Sequence, residues 1–263
     1  MAELIVDKKA VKETGIARLI FSNPPKFNAL SMDMWLDIPR RLQELEADPE
    51  VRVIIMEGEG EKAFAAGADI SKFEDRKQAR ELQAKHEKAV EQAYRAPVAC
   101  KKPVIAKIHG VCMGGGLGVA SACDIRFCSD DARFRMPAAR LGLGYNIVGV
   151  RRFIQTIGVQ NTFDIFFTAK IFGAAEAFRM GLAFQVVPAQ DLEATVWAYA
   201  KKVAANAPLT IRALKITSTE ILRQGAPDLE AVAQAIAACG ASDDHVEGAR
   251  AFMEKREPQF LGH

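Results

Sequence analysis

No run in this sequence approaches the ~18 apolar residues that a membrane-spanning helix needs. The opening residues, MAELIVDKKA, hold no apolar core of signal length, and an Arg-rich, acid-poor transit segment is missing too. The expected location is therefore cytoplasmic, with no membrane as partner. Excess charge is also scarce. The 35 basic and 33 acidic side chains leave a net +2, too little for nucleic acid, although a local basic patch can still meet the phosphates of a small molecule. The five cysteines, Cys100, Cys112, Cys123, Cys128 and Cys239, lack paired metal spacing and sit mostly in apolar segments. That pattern predicts buried, reduced thiols and no metal centre. Two nucleotide-binding signatures are absent as well. From Gly114 and Gly116 the sixth position of a G-x-G-x-x-G is Val119, from Gly116 and Gly118 it is Ser121, and no G-x-x-x-x-G-K-[ST] occurs. What is present is an ordinary globular composition, 49% hydrophobic and 26% charged, over 263 residues, long enough for a large core.

The most informative stretch runs from Lys102 to Gly149. Apolar and β-branched residues from Pro103 to Ile108 predict a strand, because the proline can only begin such an element. The chain breaks at Gly110 and restarts as a helix behind Gly114-Gly115-Gly116, with small residues at Gly118, Ala120, Ser121 and Ala122 that allow close packing. Glycines at a helix entry let a ligand approach the backbone and leave N–H groups free at the positive end of the helix dipole. That arrangement favours negative charge, and without a phosphate signature it points to an oxyanion that develops during reaction. A glycine-rich entry used only for tight packing is the competing reading. Lys62 to Phe73 favours the oxyanion: after a strand predicted over Val51 to Glu57, Ala65-Ala66-Gly67-Ala68 makes a second small-residue turn, with Asp69 able to cap the next element. Two turns each offering an N–H form a two-donor oxyanion hole.

The rest of the chain reads as alternating strands and helices. Two short strands over residues 3–22 meet near Thr14-Gly15, and Asn23-Pro24-Pro25 ends the second. Ser31 caps a helix carrying Met34, Trp35, Ile38, Leu42 and Leu45 at helical spacing, with a kink expected at Pro39. Glu74 to Ala96 is charged and helical, a solvated helix on whose surface His86 is expected. Helices are predicted over 148–157, 160–168 and 174–180, then a strand from Phe184 to Val187; such alternation implies a parallel sheet with helices on its faces. From Leu192 onward only helices are predicted: 192–206, 208–222, 229–239 and 243–255, with Pro208 in a first turn and Asp243 as a cap. Their alanine-rich faces suit helix packing between subunits.

Four segments together carry a family resemblance: Asn23-Pro24-Pro25-Lys26-Phe27-Asn28-Ala29-Leu30, Ala65 to Ile70, Lys102 to Asp124, and Ala251-Phe252-Met253-Glu254-Lys255-Arg256. With them the chain resembles the crotonase (enoyl-CoA hydratase/isomerase) superfamily over nearly its whole length. The resemblance implies an α/β fold, a spiral of ββα units over residues 1–191, followed by a helical C-terminal trimerisation segment over 192–263 and assembly into homotrimers or hexamers. It implies an acyl-CoA substrate, no cofactor or metal beyond that coenzyme A thioester, and an oxyanion hole made by the backbone N–H groups of Ala68 and Gly115. Lys26, Ala66, Asp69 and Ile70 would surround the adenine and pantetheine, and Lys255 would reach a phosphate.

The resemblance also exposes two departures. The hydratase glutamates would fall at Gly118 and Ala138, and neither glycine nor alanine can move a proton, work that contributes ~10²- to 10⁴-fold per group. A reaction needing enolate stabilisation without a protein base, such as decarboxylation of a malonyl-type thioester, fits such a site. Leu141 to Gly149 resembles the loop of methylmalonyl-CoA decarboxylases, in which a tyrosine at the position of Tyr145 lies beside the substrate carboxylate. Asp244 to His263 resembles the ending of that subgroup. Ala68 and Gly118 depart from the histidine and glutamate it can carry. The expected function is therefore decarboxylation of a methylmalonyl-CoA-like thioester with Tyr145 orienting or protonating. Two alternatives stay open: enoyl-CoA hydration or isomerisation by a displaced carboxylate such as Glu74 or Asp75, and a non-catalytic acyl-CoA binder. Asn146 reads as a turn residue, Arg140 as a surface residue and Asp124 as structural. Ser121 with His109 lacks a third orienting group for a hydrolytic triad.

Overall fold

A computed structural model describes residues 2–68 and 76–263, with side chains over 2–68 and 84–263. The chain opens with β1 (Glu3–Asp7), a short α1 (Val11–Thr14) and β2 (Ile16–Ser22). Next come α2 (Met32–Ala47), β3 (Val53–Gly58), β4 (Ala63–Ala65) and α3 (Arg76–Ala99). The centre holds β5 (Val104–Ile108), β6 (Val111–Met113), α4 (Gly115–Ala122), β7 (Ile125–Ser129), β8 (Arg133–Arg135) and α5 (Ile147–Thr168). Then follow β9 (Ile171–Gly173), α6 (Ala174–Arg179), β10 (Gln185–Val187), α7 (Leu192–Ala204), α8 (Pro208–Ile221), α9 (Leu229–Gly240) and α10 (Asp243–Glu254).

The strands form two sheets. One has the order β1-β2-β3-β5-β7-β10 and is parallel except for the β1–β2 pair; the other has the order β4-β6-β8-β9 and is parallel except for β8–β9. Successive units β3-β4-α3, β5-β6-α4 and β7-β8-α5 each place one strand in the larger sheet, one in the smaller, and then a helix. This is the expected spiral of ββα units, followed by C-terminal helices. The inner strands of the larger sheet bury apolar residues on both faces, as parallel strands covered on both sides do. Ile16, Val53, Ile55, Ile105 and Phe127 meet Leu192, Val196 and Ala200 of α7, while Leu19, Phe21, Ile54, Met56, Val104 and Ala106 join the main core with α2 and α4. Helix α7 therefore belongs by packing to the sheet, although it opens the all-helical part of the chain. Among the described residues no helix is long and apolar enough to cross a membrane.

Ser31 Oγ accepts from the Met34 N–H, and the five apolar positions assigned to the face of α2 are all buried. The helix runs on through Pro39, where a kink was expected. The two helices expected over 148–157 and 160–168 are both present within α5, separated by a kink at Gly158, whose φ of 76° lies outside helical space. Helix α3 also differs from a purely solvated one. Its C-terminal half buries Ala89, Ala93 and Tyr94 beneath a charged outer face, and His86, expected on the surface, is half-buried with its ring 6.1 Å from that of Trp35. Cys100, Cys112, Cys123 and Cys128 are buried free thiols and Cys239 is partly buried.

Candidate active site

Two backbone turns meet where β4 and β6 end. Gly67 takes φ +102° and Gly114 φ +50°, conformations that disfavour a side chain. A β carbon on Gly67 would stand 3.3 Å from the Gly115 nitrogen, and one on Gly115 would stand 3.7 Å from the Ala68 nitrogen. The glycines thus bring the backbones at 67–68 and 114–115 into contact. The Leu30 N–H donates to the Gly67 carbonyl at 2.7 Å, and that bridge leaves the Ala68 N–H unused. Gly115 is the first residue of α4, so its N–H has no partner within the helix. Among the described residues no acceptor takes either N–H.

The surroundings lock this geometry. Asn28 is buried at φ +55°; its side-chain NH₂ donates to the carbonyls of Glu59 and Ala63, and its Oδ1 accepts from the Asn23 N–H. It thereby pins the turn of residues 23–30 to β4, and the Ala66 N–H donates to the Phe27 carbonyl at 2.9 Å. At the other end of α4, Arg152 donates to the carbonyls of Ser121 and Cys123 at 2.7 and 2.9 Å, and Arg126 donates to Cys123 at 2.6 Å. Two guanidinium groups so satisfy the carbonyl end of the helix whose other end presents Gly115. Burial, and then Arg152 beside it, pushes Arg126 down to about 10.

Gly118, one turn along α4 from Gly115, is covered by two tyrosines. The Tyr94 and Tyr145 hydroxyls are 2.8 Å apart. A β carbon on Gly118 would lie 2.3 Å from the first hydroxyl oxygen and 2.6 Å from the second. Tyr94 also packs edge-on against Trp35, with centroids 6.0 Å apart, and Tyr145 against Phe166 at 5.1 Å. Burial raises both phenols above their ordinary range, so both are neutral at pH 7. Sequence reading missed Tyr94, because it sits in a segment that reads as charged and solvated. The signal that would have found it is the pair of glycines within helices, Gly118 and Gly149, since such residues have packing reasons. A β carbon on Gly149 would lie 2.4 Å from Tyr145 Cε1.

Other expected residues divide between this cluster and elsewhere. Ala138 is buried, directly after Pro137, whose ring would lie 3.7 Å from a β carbon on Gly114. Ala66 is partly buried in the first turn, and Lys26 is exposed at the end of the 3-10 turn 24–26. Asp69, Ile70, Glu74 and Asp75 lie outside the described residues. Lys255 is exposed at the left-handed cap of α10, a helix that packs against α9. Asn146 caps α5 by accepting from the Gly149 N–H, and Asp124 accepts from the Val104 N–H and from Lys215. Arg140 is exposed. Ser121 Oγ donates to the Gly118 carbonyl, with no bond to His109 among the described residues.

Two sheets wound by strand–strand–helix units with trailing helices define the class as the crotonase superfamily. The family model for enoyl-CoA hydratase/isomerase matches residues 11–263, and the chain belongs to that family. It is 33% identical to the peroxisomal Delta(3,5)-Delta(2,4)-dienoyl-CoA isomerase of Arabidopsis thaliana, over 94% of this chain and 93% of that one. It is likewise 33% identical to the crotonyl-CoA hydratase of Syntrophomonas wolfei subsp. wolfei, over 95% and 96% of the two chains. The crystal structure of an enoyl-CoA hydratase from Bacillus anthracis superposes with a TM-score of 0.88 at 28% identity, covering 99% of each chain.

Proposed function

We propose that the protein holds the thioester carbonyl of an unsaturated acyl-CoA between the Ala68 and Gly115 N–H groups and stabilises the enolate that forms there, as a hydratase or isomerase. The observation that carries this reading is the contact between the two turns with both N–H groups unclaimed among the described residues. Donors fixed before the reaction lose no reorganisation energy as charge develops on the oxygen. The names of the two relatives support an unsaturated acyl-CoA as substrate. Gly118 and Ala138 bring no carboxylate, and a phenol held neutral by burial donates a hydrogen bond but is a poor base. Proton abstraction is therefore assigned to a displaced carboxylate such as Glu74 or Asp75, and hydrogen-bond donation to Tyr145. Lys26, Ala66, Asp69 and Ile70 line the coenzyme A portion, and Lys255 meets a phosphate. Leu214, Ile221, Leu229, Ile236 and Phe252, all exposed on α8 to α10, are the faces through which homotrimers or hexamers form.

A second reading, decarboxylation of a methylmalonyl-CoA-like thioester, is favoured by the tyrosine pair at Gly118. Loss of CO₂ leaves the bonding electrons on the α carbon as an enolate, which needs a proton donor and no base. A mass-spectrometric assay with crotonyl-CoA, a 3,5-dienoyl-CoA and methylmalonyl-CoA in parallel tests both readings. Gain of water by the first or isomerisation of the second supports the main reading. Propionyl-CoA formed only from the third replaces it with decarboxylation, and tight binding without turnover of any points to an acyl-CoA binder.

A further inference from the structure

Tyr94 and Tyr145 are 51 residues apart in sequence and meet at 2.8 Å between hydroxyls. Their rings stack with centroids 6.1 Å apart and planes 23° from parallel. The space they fill is prepared on both sides: Gly118 and Gly149 are the two positions where any side chain would collide with them. The pair is thus built into α3, α4 and α5 together.

One hydrogen bond between two hydroxyls uses one of two protons, and the environment decides which. Tyr94 is 1% exposed, and among the described residues its hydroxyl has no partner except Tyr145. If Tyr94 accepted, its own proton would be left buried without an acceptor, the costlier arrangement. Tyr94 therefore donates. Tyr145 is the more open of the two, directly after the exposed loop 141–144. Accepting from Tyr94 leaves its proton free to point away from the pair. The Tyr145 oxygen lies 2.6 Å from the place a β carbon on Gly118 would take, one helical turn from the Gly115 N–H.

We infer that Tyr94 is a positioning residue: by donating to the Tyr145 oxygen it fixes Tyr145 as a hydrogen-bond donor toward an acyl group whose carbonyl lies between Ala68 and Gly115. The inference rests on the oxyanion-hole reading above. It assigns Tyr94 no contact with substrate; its effect passes through the Tyr145 hydroxyl.

The test uses the full-length protein with ¹³Cζ-labelled tyrosine, whose three signals come from Tyr94, Tyr145 and Tyr199, and butyryl-CoA, a saturated thioester, as probe. Addition of butyryl-CoA should move the Tyr145 signal in the wild type. In Tyr94→Phe, which keeps the ring and removes only the hydroxyl, the same addition should move it by less than half as much, with the dissociation constant within about twofold. Turnover of the substrate found in the parallel assay should fall about tenfold at unchanged KM, and Tyr94→Phe should cost nothing further in a Tyr145→Phe background. A Tyr145 response identical in wild type and Tyr94→Phe overturns the inference, even if the variant melts earlier. Binding of butyryl-CoA without any Tyr145 response overturns it while leaving the oxyanion-hole reading intact. Failure of butyryl-CoA to bind at all removes that reading and the inference with it.

Discussion

The edge of the Trp35 ring occupies the place where a side chain on Gly115 would stand, so that an added β carbon would lie 2.7 Å from Cζ2 and 2.8 Å from Cη2. Helix α2 thus holds the start of α4 against the turn of Ala68. Two variants separate the N–H from the space. Gly115→Ala keeps the N–H and adds the collision; Gly115→Pro adds a similar collision and removes the N–H at a first helical position that tolerates proline. Both should lose about 1–3 kcal/mol of stability to overpacking. Only the proline variant should lose a further ~10²- to 10³-fold in kcat, the usual cost of one oxyanion donor. Denaturant melts and kinetics on both proteins check this, and equal turnover in the two would count against the Gly115 N–H as a donor.

Gly118 yields a prediction about packing. Gly118→Ala should destabilise the protein by about 1–3 kcal/mol, since its methyl would enter the hydroxyl pair. In a Tyr94→Leu background, where the hydroxyl and much of the ring are gone, the same change should cost less than half as much. Urea midpoints of the two single variants and the double variant measure the coupling. Additive costs would mean that the collision is relieved elsewhere.

The sequence made most of the larger sheet and most helices legible for a clear physical reason. Their apolar runs and caps are long enough to show a period, as in the buried positions Met34, Trp35, Ile38, Leu42 and Leu45 of α2. The smaller sheet was not legible. Ala63–Ala65, Val111–Met113, Arg133–Arg135 and Ile171–Gly173 are three residues each, too short for a period, and they pair across the spiral. Of the site, the two glycine turns were legible because glycine at φ above zero marks the backbone directly. Tyr94 was not, since only the meeting of α3 with Gly118 and Gly149 distinguishes it from a surface tyrosine.

Arg152 gives a prediction at the far end of α4. Its guanidinium donates to two carbonyls, those of Ser121 and Cys123, within the buried end of the helix. Arg152→Met keeps much of the volume and removes both bonds. Stability should fall by about 1–3 kcal/mol. Because α4 presents Gly115 at its other end, kcat should fall with little change in KM. Unchanged melting would show that Arg126, which also donates to the Cys123 carbonyl at 2.6 Å, satisfies that end of the helix without Arg152.

Buried thiols and phenols together set an alkaline limit on stability. Burial pushes Cys100 up to about 11 and Cys123 and Cys128 to about 12, and raises Cys112, Tyr94 and Tyr145 as well. For Cys123 the apolar surroundings outweigh the nearby Arg126. In the unfolded chain these groups titrate near about 8.5 for thiols and 10 for phenols. Between those values and the raised ones the native protein holds protons that the unfolded chain has released. Stability is therefore complete below about pH 8 and declines as pH rises. Lys102, Arg126 and Arg152, all lowered by burial, act in the opposite direction but are fewer, and Arg126 contributes only from about pH 10 upward. Urea midpoints should be level from pH 7 to 8 and fall measurably by pH 9.5, with a shallower fall in Cys123→Ala, which removes one of the proton-holding groups. A midpoint that stays level to pH 9.5 would mean that these thiols ionise in the native state as readily as in water.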